Sequence, residues 1–404
     1  MRVQSQNFRL LALSYKLFSG FLLSMVSCPS QVLSRKQGVG ADWWKHDMGL
    51  GTIMKFGIFD HVDRSELPLA ELFEKRLEYV VAAEEAGFHC YHVAEHHATP
   101  LNMVPVPGVF LGAVANATNR IRLGPLVYLL PLYSPLRLIE EIAILDHLSN
   151  GRLYVGVGRG VSPFELNFHN VDPNTSREVF LDAFDAVIYG LTHEVLNHEG
   201  PHFKYRNVPM ELRPLQQPYP PIWYPTSSAT SASWSGAGGY NFSTLGSIED
   251  AKKCIDSYKE AYAKRGGPSG PATDFPGGTA IGVNRHIVVA ETDEQARRIA
   301  GPAYDRWFAS LTKLRRENKV EGPSIAYNVR RAPNADAAVI LGSCIVGSPE
   351  TVRSEIERQV DVLGVNYMIF GFYFGAISHE DAMRSLSLFA SEVLPKVSKL
   401  GQAV

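Results

Sequence analysis

From Lys55 onward, short runs rich in β-branched and aromatic residues alternate with stretches of helical periodicity. This rhythm confines the chain to a mainly parallel sheet built from successive β-α units. The runs are Lys55 to Asp60, Phe88 to Ala94, Ile121 to Tyr128, Leu153 to Val157, Pro221 to Pro225, Tyr240 to Leu245, Ile281 to Ala290 and Asn366 to Phe370. Helices are predicted between them, with Gly87 and Asn150-Gly151 as stops and Ser134-Pro135 as a start. Eight such units with near-continuous apolar strands favour a closed (β/α)8 TIM barrel of the α/β class over an open doubly wound sheet. Closure leaves no edge strand to protect, and the last strand then pairs with the first. The stretch 301–343 breaks the rhythm with a basic helical part (Arg306, Lys313, Arg315, Arg316, Lys319) and a Pro/Asn/Ala-rich loop. It reads as an insertion after the seventh strand, of the length used for lids and binding loops. Without repeats or a linker, 54–404 reads as a single barrel domain.

Residues 1–53 look unlike the rest and precede a second methionine, Met54. An apolar stretch from Phe18 to Cys28 follows Arg2, Arg9 and Lys16, as in a secretory signal, but is too short to span a bilayer. A disordered or mis-assigned start is the preferred reading, and a cytoplasmic location follows from it. The 39 basic and 41 acidic residues give a net charge of −2 without basic blocks, which argues against nucleic acid as a partner. The four cysteines, Cys28, Cys90, Cys254 and Cys344, are widely separated and form no cysteine-based zinc motif.

In a barrel of this kind the reactive groups stand at the C-terminal ends of the strands. There the sequence places Asp60-His61, then Glu95-His96-His97, then Gly156-Val157-Gly158-Arg159-Gly160, then a hydroxyl-rich run from Thr226 to Ser233. That run, with Ser227, Ser228 and Ser231, opens a helix after a strand and so offers an anion site, although a polar loop has the same composition. Arg159 after two glycines and Arg177 after Asn174-Thr175-Ser176 could clamp a phosphate, or each could form a surface ion pair. Val161 interrupts the dinucleotide-binding glycine pattern. Glu95-His96-His97 reads as an acid–base cluster or, with His89 and His92, as metal ligands. The metal reading suffers because residues three apart on a strand point to opposite faces, and no metal site is assigned. Phe59, His61, Tyr128 and Tyr133 are candidate walls of a substrate pocket, or ordinary barrel packing.

From Met54 to about Lys396 the chain resembles the bacterial luciferase-like flavin-dependent monooxygenases. The resemblance rests on Met54-Lys55-Phe56-Gly57, Val93-Ala94-Glu95-His96-His97, Leu145 to Arg152 and Gly156 to Gly160, in that order. It implies an α/β barrel that uses reduced FMN and O2 to insert one oxygen atom into a small organic substrate through a flavin hydroperoxide. It also implies a separate NAD(P)H-dependent flavin reductase and a homodimer formed through the helix bearing Glu140 and Glu141. By the same resemblance Arg159, Arg177, Ser228 and Ser231 hold the FMN phosphate, and His96 is catalytic with Glu95 and His97 in support. Leu126-Val127 matches a non-prolyl cis peptide beneath the flavin ring. Gly158 stands where luciferase has a reactive cysteine and Ser162 where it has an aromatic residue, so light emission and long-chain aldehyde specificity are not expected. A deazaflavin-dependent hydride-transfer enzyme of the same fold, a non-catalytic flavin-binding protein and, last, a metal-dependent hydrolase are the rival readings.

Overall fold

The computed structural model describes residues 54–400 apart from 272 and 321–330. The readings of 1–53 and of part of the inserted loop therefore lie outside the described residues. In chain order the elements are β1 (Lys55–Asp60), α1 (Leu69–Glu85), β2 (Cys90–Val93), α2 (Pro107–Ala117), β3 (Arg122–Pro125), β4 (Tyr128–Leu129), α3 (Pro135–Leu148) and β5 (Val155–Gly158). They continue with α4 (Pro163–Phe168), α5 (Ser176–Thr192), β6 (Val195–Glu199), β7 (Lys204–Pro209), β8 (Ile222–Pro225), α6 (Ala229–Gly238), β9 (Asn241–Thr244) and α7 (Ile248–Arg265). The last are β10 (Ile281–Val289), α8 (Asp293–Glu317), α9 (Ala335–Ile340), β11 (Cys344–Gly347), α10 (Pro349–Leu363), β12 (Tyr367–Gly371), α11 (His379–Leu388) and α12 (Leu394–Val397).

The sheet runs β3-β2-β1-β12-β10-β9-β8-β5-β4, with every neighbouring pair parallel. β3 and β4 are halves of one strand, interrupted at the cis peptide Leu126–Val127. A parallel bridge from Leu123 to Leu153 and the pairing of β4 with β5 bring the two ends of the sheet together. Each of the predicted runs thus holds a barrel strand, and β12 pairs with β1 as predicted. Two features were not predicted. β6 and β7 form an antiparallel hairpin outside the barrel, and β11 pairs only with β10. The helical part of the insertion also begins earlier than expected, because α8 already starts at Asp293, where Thr292 accepts from the Gln295 N–H.

Local chemistry sets the helix ends. α3 opens on Pro135 and is followed by Asn150 and Gly151, both at positive φ. Ser247 and Ser348 cap α7 and α10, whose exits are the left-handed Gly266 and Gly364. The Leu145–Arg152 motif is an anchor for these turns. Arg152 donates to the carbonyls of Ala115, Thr118, Ile121 and Ser149 and to the Thr118 hydroxyl at 2.7–3.0 Å. Asp146 accepts from the backbone and side-chain N–H groups of Gln216, both at 2.7 Å.

The barrel interior is filled by a few large rings, Tyr154, Trp223, Phe275 and Tyr367, with Cys90, Leu126 and Ile369. Gly57 is required there, since a Cβ would collide with the Tyr367 hydroxyl. His89 and His92 do not point to opposite faces: both rings pack against Tyr367, with centroids 5.9 Å away. His89 precedes the first residue of β2 and so escapes the strand alternation. Their Nε2 atoms meet the hydroxyls of Tyr154 and Tyr367 at 3.0 Å, and burial pushes both imidazoles down to about 3. No helix among the described residues is long and apolar enough to cross a membrane.

Candidate active site

The turn after β2 carries Glu95, His96 and His97, and each takes a different partner. Glu95 is buried and accepts from His97 Nε2 (2.9 Å), the Tyr133 hydroxyl (2.9 Å) and the Leu129 backbone N–H (3.1 Å). Burial raises its pKa, against the lowering effect of His97 and those donors. Glu95 therefore ties the β2 turn to the end of the third barrel strand. The carboxylate facing His96 comes from elsewhere. Glu165, on α4, lies 3.3 Å from His96 Nδ1 through each of its oxygens and accepts the His97 backbone N–H at 2.9 Å. Burial disfavours a charged His96, but the charge and hydrogen bond of Glu165, with Glu95 behind, outweigh it and hold the imidazole above its ordinary value. For Glu165 burial also opposes charge, and His96 with the His97 N–H holds it low.

His61, after β1, faces this cluster. Its ring lies 5.8 Å from His96 at 28° and stands edge-on to Phe59 at 4.8 Å. Burial, reinforced by His96, His286 and Arg331, pushes His61 well below its ordinary range, so it is neutral. Trp307 of α8 covers the same side, with its ring 6.3 Å from His61 and 4.3 Å from His286. Arg331 stacks over Trp307 at 5.4 Å. The structure thus places His61 against His96, Phe59 against His61 and Tyr133 on Glu95, and sequence reasoning missed Glu165, His286 and Trp307.

Tyr128 is not a wall of this site. It is fully buried and donates to Glu141 at 2.8 Å, so the hydroxyl is engaged with α3.

A second cluster gathers at the ends of β5 and β8. Burial raises the pKa of the Tyr224 hydroxyl on β8, while Arg177, Ser231 and Arg159 lie close enough to favour its charged form. Arg159 and Arg177 are exposed and have no carboxylate partner among the described residues. Ser228 is the N-cap of α6, its side chain accepting from the Ser231 N–H at 3.5 Å, and Ser227 is exposed just before it. The expected cap before Arg177 differs. Thr175 holds the N-cap position of α5, but its hydroxyl turns back to the Asp172 carbonyl at 3.4 Å. Tyr224 was missed because a tyrosine inside an apolar strand reads as core. Gly156 and Gly158 of β5 pack closely against the third barrel strand: a Cβ on Gly158 would come within 2.6 Å of Val127 Cγ2, and one on Gly156 would collide with the Pro125 carbonyl oxygen.

The profile of the luciferase-like monooxygenases matches residues 54–366. The chain belongs to this family. Among its relatives, an uncharacterized protein of Sinorhizobium fredii is 34% identical over 349 residues, covering 85% of this chain and 97% of the relative. The oxygenase component of a flavin-dependent trigonelline monooxygenase from Acinetobacter baylyi is 25% identical over 359 residues, covering 86% and 96%. Among solved structures, the monooxygenase RslO1 from Streptomyces bottropensis superposes with a TM-score of 0.74 at 28% identity, covering 85% of this chain and 99% of that one. Luciferase-like membership accounts for the barrel and for the order of the motifs along it.

Proposed function

We propose that this luciferase-like protein is the oxygenase of a two-component monooxygenase. In this reading it binds reduced FMN at the barrel mouth and uses O2 to place one oxygen atom on a small organic substrate. The observation that carries the reading is the convergence of Arg159, Arg177 and Ser231 on the Tyr224 hydroxyl at the head of α6. Two guanidinium groups without a counter-carboxylate, a neutral hydroxyl and a helix N-terminus suit a phosphate dianion.

When bound, reduced flavin supplies the two electrons with which dioxygen is activated, one oxygen going to substrate and the other leaving as water. The protein's part is local. His96 holds a proton beside the reacting oxygens, Glu95 and His97 fix the turn that carries it, and Trp307 with His61 keeps water away. A separate NAD(P)H-dependent reductase fits the interrupted dinucleotide motif and the trigonelline relative's designation as an oxygenase component. A homodimer is supported by exposed apolar side chains beside and on α2 and α3, namely Val106, Val109, Ile144 and Leu148. The described cysteines are free and buried, which suits a reducing cytoplasmic setting.

The test is to load the protein anaerobically with reduced FMN or reduced deazaflavin and mix it rapidly with O2 while following flavin absorbance. Slow reoxidation of bound FMN, accelerated in His96→Asn, supports the reading. Binding of deazaflavin alone, or reoxidation as fast as in free solution, overturns it.

A further inference from the structure

His96 and His61 face one another at 5.8 Å, yet their surroundings differ in kind. Glu165 is 3% exposed at its side chain and lies against His96 Nδ1 with both oxygens. His96 Nε2 has no protein partner among the described residues. Among the described residues no carboxylate hydrogen-bonds to His61; its ring neighbours there are Phe59, Trp307 and His96.

We infer that Glu165 is a positioning residue that makes His96 the charged member and His61 the neutral member of a facing pair, by accepting a hydrogen bond from Nδ1–H while the proton stays on the ring, which leaves Nε2–H for the reacting oxygen. Two adjacent imidazoles whose environments pull them apart divide the acid and base roles between them. His96 then donates a proton from Nε2, and His61, uncharged, can accept one. The Glu165 carboxylate is fixed in this position by a second hydrogen bond, from the His97 backbone N–H.

The charged and titratable groups around the pair come from every neighbouring element. They are Glu165 on α4, Glu95 and His97 on the β2 turn, His286 on β10, Arg76 on α1 and Arg331 beyond α8. Of these only Glu165 and Glu95 favour a charged His96, and Glu95 is engaged by three donors of its own. Without Glu165, burial and Arg331 dominate, so His96 should lose its proton below rather than above its ordinary value of 6.5.

The inference rests on the proposed flavin chemistry for its use, but its test needs no flavin. The histidine nitrogens of the full chain are titrated by NMR in the wild type, Glu165→Gln and Glu165→Asp, with His96→Asn and His61→Asn to assign the signals. Wild-type His96 should titrate above 6.5 with His61 still neutral. Glu165→Gln, which keeps the shape and an acceptor for the His97 N–H, should lower proton affinity at His96 about tenfold or more, as expected for loss of a charge-assisted bond. Glu165→Asp should retain a raised His96 even where packing is perturbed. An unchanged His96 titration in Glu165→Gln, or the two imidazoles titrating together in the wild type, overturns the inference. Reduced-FMN binding is measured on the same samples. Failure to bind FMN with the expected titration intact would reject the flavin reading and leave the role of Glu165 standing.

Discussion

Asp63 offers a stability prediction that follows from charge and burial alone. The end of β1 and the loop after it place Asp60 and Asp63 near one guanidinium, that of Arg76, which is 1% exposed and stacks 3.3 Å over the Tyr373 ring. Asp60 takes the cation at 3.3 Å and also accepts from the Tyr91 hydroxyl at 3.0 Å and the Val62 N–H at 2.7 Å. Asp63 is as buried, and neither of its oxygens finds a full hydrogen bond among the described residues. Arg76 and the Gly375 amide favour its charge, but burial outweighs them and raises its pKa from 3.8 to about 7. The sign follows from linkage. Between those values the folded protein keeps a proton that the unfolded chain has released, so stability falls as pH rises, and the full penalty applies above about 7. At 1.36 kcal/mol per pH unit the penalty is on the order of 4 kcal/mol, roughly two-thirds of which develops between about pH 5 and pH 8. Asp63→Asn removes the ionisation while keeping the shape. Its advantage over the wild type in denaturant unfolding should therefore grow by about 2–3 kcal/mol from pH 5 to pH 8. An advantage equal at both pH values would refute the reasoning.

Other consequences are equally open to measurement. Tyr224→Phe removes a donor from the proposed phosphate cradle and should weaken FMN binding about tenfold while leaving riboflavin binding unchanged, as read by fluorescence titration. Gly158→Ala drives a methyl group to within 2.6 Å of Val127 Cγ2 and should cost about 1–3 kcal/mol in thermal unfolding, with weakened FMN binding. Arg152→Met leaves four carbonyls without their donor and should destabilise the fold by about 3 kcal/mol or more without changing ligand preference. The His96–Glu165 pair adds stability that fades as pH rises through the raised His96 value and as it falls through the lowered Glu165 value. In His96→Asn the alkaline limb of that dependence should vanish from unfolding curves.

The β-α rhythm was legible because each strand is a compact apolar run bounded by glycine, proline or asparagine, and the barrel followed from their number. The proposed role of Arg159, Arg177, Ser228 and Ser231 awaits the flavin titration, but their positions at strand ends and helix starts were legible from the local pattern. Glu165 was not, for a physical reason. Ser162-Pro163-Phe164-Glu165 has the spacing of a helix cap, and half of that cap is made, Ser162 accepting from the Glu165 N–H at 3.4 Å. The carboxylate that would return to the cap reaches His96 instead, a contact across 69 residues that no local pattern encodes. Tyr224 was hidden inside a strand, and nothing in the sequence near Tyr128 signals that its hydroxyl is engaged by Glu141, thirteen residues on. The β6–β7 hairpin escaped notice because its strands are largely exposed and carry no apolar stripe.

The central claim is a phosphate-anchored reduced flavin at the barrel mouth. The most direct measurement is an anaerobic titration of the protein with reduced FMN beside reduced riboflavin, repeated in Arg177→Met. The account predicts that FMN binds about a hundredfold or more tighter than riboflavin, since two guanidinium contacts at roughly 1.5–3 kcal/mol each depend on the phosphate. It predicts also that most of this preference is lost in the variant. Equal affinity for the two flavins, or a preference unaffected by Arg177→Met, would contradict it.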